Sequence, residues 1–138
     1  MKHHRTQIQL RFKDLDKLGH VNNANYLTYF ELARVNFFKT VMGTKTIDWS
    51  TEGIIMAKVE ITFKQPILLE DEVFVYVWVS RFGTKSFDMN CSIVKSENGQ
   101  ETEVATGMTV LVCINYKTNQ TIEIPPLWKQ KMQAFQAG

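Results

Sequence analysis

Residues 23–42 carry a helical repeat, and no other stretch of the 138-residue chain holds that period for so long. Tyr26, Tyr29, Phe30, Ala33, Phe37 and Val41 share one side at spacings of three and four, and Leu27 and Phe38 widen the stripe. Thr28, Asn36 and Lys39 lie opposite, but Leu32 and Val35 fall on that half too. The helix thus offers more apolar circumference than a surface helix needs. Gly43 is a natural stop. The rest of the chain has to wrap around this element.

Everything downstream reads as strand. Before the helix, Ile8, Leu10 and Phe12 alternate with Gln7, Gln9 and Arg11, which predicts a half-buried strand over 6–12 and a polar loop over 13–21. After it, 44–53 reads as an irregular connection containing Trp49. Ile55, Ala57, Val59, Ile61 and Phe63 then alternate with Met56, Lys58, Glu60, Thr62 and Lys64, up to a stop at Pro66. Over 73–79 four valines alternate with Phe74, Tyr76 and Trp78, so this strand is expected to be central, with both faces covered, in part by another subunit. Gly83 breaks that run, and Phe87, Met89, Cys91 and Ile93 open the next strand. Asn98-Gly99 signals a hairpin, and Val104 to Ile114 alternates at length. A short piece with Ile122 and Ile124 ends at Pro125-Pro126, and 127–135 reads as a small terminal helix. One helix cannot cover both faces of such a sheet. The sheet is expected to curl around it and leave surface for a second copy. The fold class is α+β, with one long central helix wrapped by a curved antiparallel sheet of five to six strands. Residues 1–138 form a single domain in this reading.

The totals narrow the function. A net charge of +2 is too small to make nucleic acid the main partner. No run is long and apolar enough to span a membrane, and the polar start lacks a secretory signal, so a cytoplasmic protein is expected. Cys91 and Cys113 sit in separate strand-like runs and read as buried free thiols of a reducing compartment. His3 and His4 read as an exposed polar end, and with only His20 besides there is no metal-ligand cluster.

Chemistry concentrates just ahead of the long helix. Asp14 and Asp16 lie on a short loop, and Asn22 or Asn23 is placed to cap the helix start. A helix start offers unpaired N–H groups and a partial positive charge. A carboxylate beside it has the makings of an acid or base next to an anion cradle. From residue types alone either acid qualifies, and a carboxylate ahead of a turn glycine is commonly a loop-former.

The run Asp16-x-x-Gly19-His20-Val21-Asn22-Asn23-x-x-Tyr26, followed by Phe30-Glu31-x-Ala33-Arg34, closely resembles the signature of hotdog-fold acyl-CoA thioesterases. The nearest group is the 4-hydroxybenzoyl-CoA thioesterase-like family, including its long-chain acyl-CoA members. The resemblance implies a homodimer joined sheet edge to sheet edge, often paired into a tetramer, with sites at the subunit interface. It also implies hydrolysis of acyl-CoA thioesters with no metal or redox cofactor. It selects Asp16 over Asp14 as the catalytic acid, acting as general base toward water or as nucleophile, and assigns the oxyanion donor to the Asn23 backbone N–H. Gly19, His20, Asn22 and Tyr26 are then site-shaping, His20 through the turn and Tyr26 either as pocket wall or as a core tyrosine. Glu31 and Arg34 read as a structural i, i+3 ion pair. For coenzyme A the candidates are Lys58, Arg81, Thr84, Lys85 and Ser86, the last four on a hairpin that family members bring to a neighbouring subunit. A solvated strand face accounts for Lys58 and Lys64 without any ligand and is the favoured reading. Met56, Phe30 and the helix aromatics serve either as acyl tunnel or as core. The alternatives are hydrolysis of acyl groups on acyl carrier protein, with a basic mouth, and a non-catalytic acyl-CoA-binding protein. A dehydratase of this fold would carry a histidine on the helix, and this helix has none.

Overall fold

The computed structural model describes residues 1–43 and 47–138. The predicted connection over 44–53 falls partly on 44–46, outside the described residues. The elements are β1 (His4–Ile8), α1 (Asn23–Phe37), β2 (Glu52–Phe63), β3 (Glu72–Phe82), β4 (Ser86–Glu97), β5 (Gln100–Asn115), β6 (Gln120–Thr121) and α2 (Pro126–Ala137). All strand pairings are antiparallel, in the order β1-β3-β4-β5-β2, with β6 added along β5. The sheet curls around α1 as a half-barrel, which is the hotdog arrangement.

The helix runs as the repeat predicts, then loosens into a π turn (Phe38–Met42) and stops at Gly43, whose φ of 76° suits glycine. Its buried side, Tyr26, Tyr29, Phe30, Ala33 and Phe37, rests on the inward valines of β3 and on Met89, Cys91 and Leu111. Phe30 sits close because Gly107 has no side chain: a Cβ there would lie 2.9 Å from the Cys91 Sγ, 3.1 Å from the Glu60 carbonyl oxygen and 3.4 Å from Phe30. Leu32 and Val35 stay exposed, so one chain leaves part of the helix's apolar circumference uncovered.

The hairpin between β4 and β5 turns at Asn98 and Gly99, both with positive φ (53° and 80°), as its sequence demands. The predicted first strand is shifted. Ile8 pairs with Val73 at the start of β3, and the partner strand then runs out, so Leu10 and Phe12 have nothing to pair with. The chain turns there through a 3₁₀ segment (Phe12–Asp14), and Phe12 is exposed. The amino-terminal residues are more embedded than an exposed polar end. His4 is buried against Phe37 and Phe135, His3 stacks on Trp78 at 3.9 Å, and the Arg5 guanidinium lies 3.5 Å from the Phe74 ring centroid. Residues of the same chain therefore cover the outward aromatics Phe74 and Trp78 of β3.

Strand β2 departs from simple alternation. A bulge between Met56 and Lys58 sets Ala57 outside the ladder and flips the parity. Met56, opposite buried Leu111, and Val59, opposite buried Thr109, therefore both face inward. Among the described residues β2 pairs with β5 alone, and its free edge exposes Ile55, Met56, Val59 and Phe63. Cys91 and Cys113 are buried and free, and burial pushes each thiol up to about 12. Among the described residues no helix is long and apolar enough to cross a membrane.

Candidate active site

The loop between β1 and α1 is pinned by its own backbone. The Asn22 amide donates to the Asp14 carbonyl (2.8 Å), Leu15 and Val21 form a bridge, and the Asp16 amide donates to the His20 carbonyl (2.9 Å). Gly19 closes the turn, donating to the Asp16 carbonyl at 3.0 Å with φ of 79°, which explains a glycine there. The loop docks sideways as well, through a His20–Leu68 bridge and the Val21 amide on the Ile67 carbonyl (2.8 Å).

Beneath the loop lies a buried polar strut that sequence reasoning missed. The Tyr29 hydroxyl donates to Asp14 Oδ2 at 2.8 Å, and Asn25 Nδ2 donates to the Asp14 carbonyl at 2.9 Å. Burial, with the Asp14 carboxylate on its hydroxyl, pushes the Tyr29 phenol above its ordinary range. Two acids two residues apart thus part ways. Asp14 is buried and fixes the loop, while Asp16 is exposed at the tip with Oδ1 accepting the Leu18 amide at 2.9 Å.

At the helix start Asn22 is the cap, its Oδ1 accepting the Ala24 amide at 2.9 Å, and the Asn25 amide reaches the Asn22 carbonyl at 2.9 Å. The Asn23 amide between them has no acceptor among the described residues. It is the orphan donor of the first turn.

Asp16, His20, Asn22, Asn23 and Tyr26 line one cleft of about 450 Å³, together with Leu18, Phe63, Lys64, Gln65 and Pro66. Tyr26 is almost wholly buried. It donates its hydroxyl to the Gln65 carbonyl (3.1 Å) and meets Phe63 edge-on, so it serves as core and as pocket wall. Lys64 pairs with Glu103, and that bond, with one from Ser92, holds the Glu103 carboxyl below its usual range. The wall from Phe63 to Pro66 was legible only as the end of a strand at a proline.

The other sequence candidates lie apart from this cleft within one chain. Lys58 pairs with Glu60 at 2.9 Å on an exposed strand, and Arg81 grips Asp88 with two bonds of 2.9 and 3.1 Å. The Thr84 and Lys85 carbonyls receive the Ile124 and Cys113 amides, and Ser86 closes its hairpin on Gly83. Glu31 and Arg34 form no ion pair within 4 Å, although the charge of Glu31 is felt by the guanidinium. No group of three or more His, Cys, Asp or Glu side chains among the described residues is placed to hold a metal.

The sequence profile of the thioesterase-like superfamily matches residues 10–132, nearly the whole chain. The chain belongs to the thioesterase-like superfamily. Like that superfamily it is a thioester hydrolase. It is 27% identical over 131 residues to the long-chain acyl-CoA thioesterase FadM of Escherichia coli, covering 93% of this chain and 96% of that one. A thioesterase of Thermus thermophilus, solved with coenzyme A and zinc, superposes with a TM-score of 0.82 at 33% identity, over 97% of this chain and 94% of that one. The DHNA-CoA thioesterase of Staphylococcus aureus superposes at 0.85 over 99% and 93%, and its 23% identity speaks for the fold alone.

Proposed function

We propose that this thioester hydrolase acts on acyl-CoA and that the reaction runs in the cleft at the start of α1. The observation that carries the reading is the unpartnered Asn23 amide beside an exposed carboxylate, Asp16, in one cleft. Thioester hydrolysis needs an activated water or a nucleophile, and donors for the charge that grows on the carbonyl oxygen. With Asp16 as base, it takes a proton from water while the hydroxide oxygen bonds to the carbonyl carbon. The Asn23 N–H receives the oxyanion, the C–S bond breaks, and the CoA sulfur leaves with the proton. With Asp16 as nucleophile, its oxygen displaces the thiolate to give a mixed anhydride, which water then opens. Coenzyme A as the carrier is supported by the relatives named above, one of them solved with it.

The working unit in this reading is a two-fold dimer formed through the free edge of β2. A twelve-residue strand with four exposed apolar side chains and an unpaired edge is an association surface. Antiparallel pairing of β2 with its copy sets the Glu52 end of one strand beside the Phe63 end of the other. The hairpin at Arg81–Ser86 lies at the Glu52 end of the sheet, since Ser86 pairs with Val112 and Glu52 with Asn115. Arg81, Thr84, Lys85 and Ser86 then approach the partner's cleft, where a CoA phosphate needs cations. Lys58 sits near the two-fold.

The test is release of free thiol from acyl-CoAs of graded length, and from the same acyl groups on acyl carrier protein. Asp16→Asn should stay folded, because among the described residues only the Leu18 amide leans on its carboxylate. It should lose turnover by about a hundredfold to ten-thousandfold, the range for a positioned base. Full activity in that variant removes Asp16 from the mechanism. Tight binding without hydrolysis by the wild type leaves an acyl-CoA-binding protein instead, and faster turnover of the carrier-bound acyl group moves the substrate to acyl carrier protein.

A further inference from the structure

A second cavity, of about 520 Å³, opens at the other end of α1. Phe38, Trp49, Ile54 and Met56 give it apolar walls, and among the described residues the charged ones that line it, Arg34 and Lys39, are both positive. Lys39 is exposed. Arg34 is half-buried, and its one hydrogen-bond acceptor among the described residues is the Met56 sulfur at 3.9 Å, a weak partner for a guanidinium. Burial draws the Arg34 pKa below its ordinary range, with Glu31 opposing, and no carboxylate of the described residues lies within ion-pair distance. A cation held in an apolar wall without an anion is costly unless something arrives to pair with it.

Within one chain this cavity is remote from Asp16, because α1 has 15 residues and spans about 22 Å. Across the β2 edge it is not. Ile54 and Met56 line the apolar cavity, and Phe63 and Lys64 line the Asp16 cleft. Antiparallel pairing of two β2 strands lays these ends side by side. One protomer's cleft then continues into its partner's apolar cavity.

We infer that this cavity receives the acyl portion of the substrate held by the other protomer, and that Arg34 selects acyl groups bearing a carboxylate at the end remote from the thioester. The inference rests on the proposed acyl-CoA hydrolysis and on the two-fold pairing. Phe38, Trp49 and Met56 take the methylenes, and the Arg34 fork takes two carboxylate oxygens, with Lys39 adding to the positive field at the rim. An alkyl end of the same length would leave the guanidinium unpaired.

The experiment compares CoA thioesters of ω-carboxyacyl groups with methyl-terminated acyl-CoAs of equal length, from six to ten carbons. Wild type should favour the carboxylate by about tenfold to a hundredfold in kcat/KM, the range of a charge-assisted hydrogen bond. In Arg34→Met that ratio should fall towards one or below, and Arg34→Lys should retain part of it. Sedimentation of both variants reports the dimer. A wild type without the preference, an equal loss on both substrate series, or dissociation of Arg34→Met into monomers would each overturn the inference, the last by making Arg34 an interface strut. Dissociation constants measured on Asp16→Asn read the same preference without turnover. Hydrolysis of methyl-terminated acyl-CoAs with no carboxylate preference therefore sinks this inference and leaves the proposed activity standing. Absence of acyl-CoA hydrolysis by the wild type sinks the activity reading, while a preference in the dissociation constants sustains the Arg34 site. Turnover that survives Asp16→Asn removes only Asp16 from the mechanism.

Discussion

The two ends of α1 are built on opposite principles. At its start the backbone is held by polar bonds: a capping asparagine, a loop closed on itself, and the Asp14–Tyr29 pair beneath. At its end the helix loosens into a π turn whose Phe38 and Met42 are buried, and the neighbouring cavity is mainly apolar. Directional bonds fix atoms to tenths of an ångström, as a carbonyl carbon facing a base requires. Apolar walls fix a volume and tolerate different occupants. Chemistry suits the first end and substrate selection the second, and the seat of the helix on the sheet couples the two.

After loss of the Asp16 carboxylate, the largest effect is expected from Gly107→Val, which attacks that seat. The added side chain meets the Cys91 sulfur and the Glu60 carbonyl and then crowds Phe30, so the sheet and the middle of α1 both have to give. A loss of about 3 kcal/mol is expected, at the upper end for overpacking, read from the urea midpoint. Turnover and acyl-length preference should fall together. A change in one alone would show that the two ends move independently.

Tyr29→Phe confines the damage to the polar end. It leaves the buried Asp14 carboxylate short of one donor and should cost about 1–3 kcal/mol. Because Asp14 holds the loop that carries Asp16, kcat should drop several-fold with little change in KM, and the order of preference among acyl groups should not change. A shift in that order would break the division between the two ends.

Asn22→Ala is milder still, at about 1 kcal/mol, the usual worth of an N-cap. It also frees the Ala24 amide beside that of Asn23. Turnover should fall less than in Tyr29→Phe, since a second donor becomes available near the oxyanion.

The sequence made these regions legible to different degrees. The period of α1, the alternation of β3 and the Asn98-Gly99 turn are local, and each can be read within a dozen residues. The 23–42 stripe correctly named Tyr26, Tyr29, Phe30, Ala33 and Phe37 as the buried side. Strand order and the shift at Ala57 were not legible, because pairing β2 with β5 brings together residues some fifty apart and neither partner announces the other. The loop motif marked the polar cleft by resemblance, yet it gave no hint that Asp14 and Asp16 have opposite surroundings. That depends on Tyr29, one helical turn beyond the motif and indistinguishable in sequence from a core aromatic. The apolar cavity was hidden for a related reason. Arg34 reads as half of an i, i+3 pair with Glu31, and only the geometry separates them.

The smallest effect concerns the thiols under the helix. Cys91 lies beside Gly107 below its middle, and Cys113 pairs in register with Ile54, a wall of the apolar cavity. Burial raises both from the ordinary 9 to about 12, so the folded state favours the neutral thiol. Their contribution to stability is complete below pH 9 and is lost as pH rises from 9 towards 12, where the unfolded chain ionises first. The urea midpoint of the wild type should therefore fall more steeply between pH 8 and 10.5 than that of a Cys91→Ala/Cys113→Ala double variant, which controls for other alkaline groups. Equal slopes would show that these thiols do not contribute. Brief alkylation at the alkaline end, mapped by mass spectrometry, then sharpens the contrast between the regions. Cys113 should react before Cys91, because the cavity brings solvent to the Ile54 wall, whereas Phe30 and the sheet close over Cys91. A long-chain acyl-CoA should slow the labelling of Cys113 and leave Cys91 as it was.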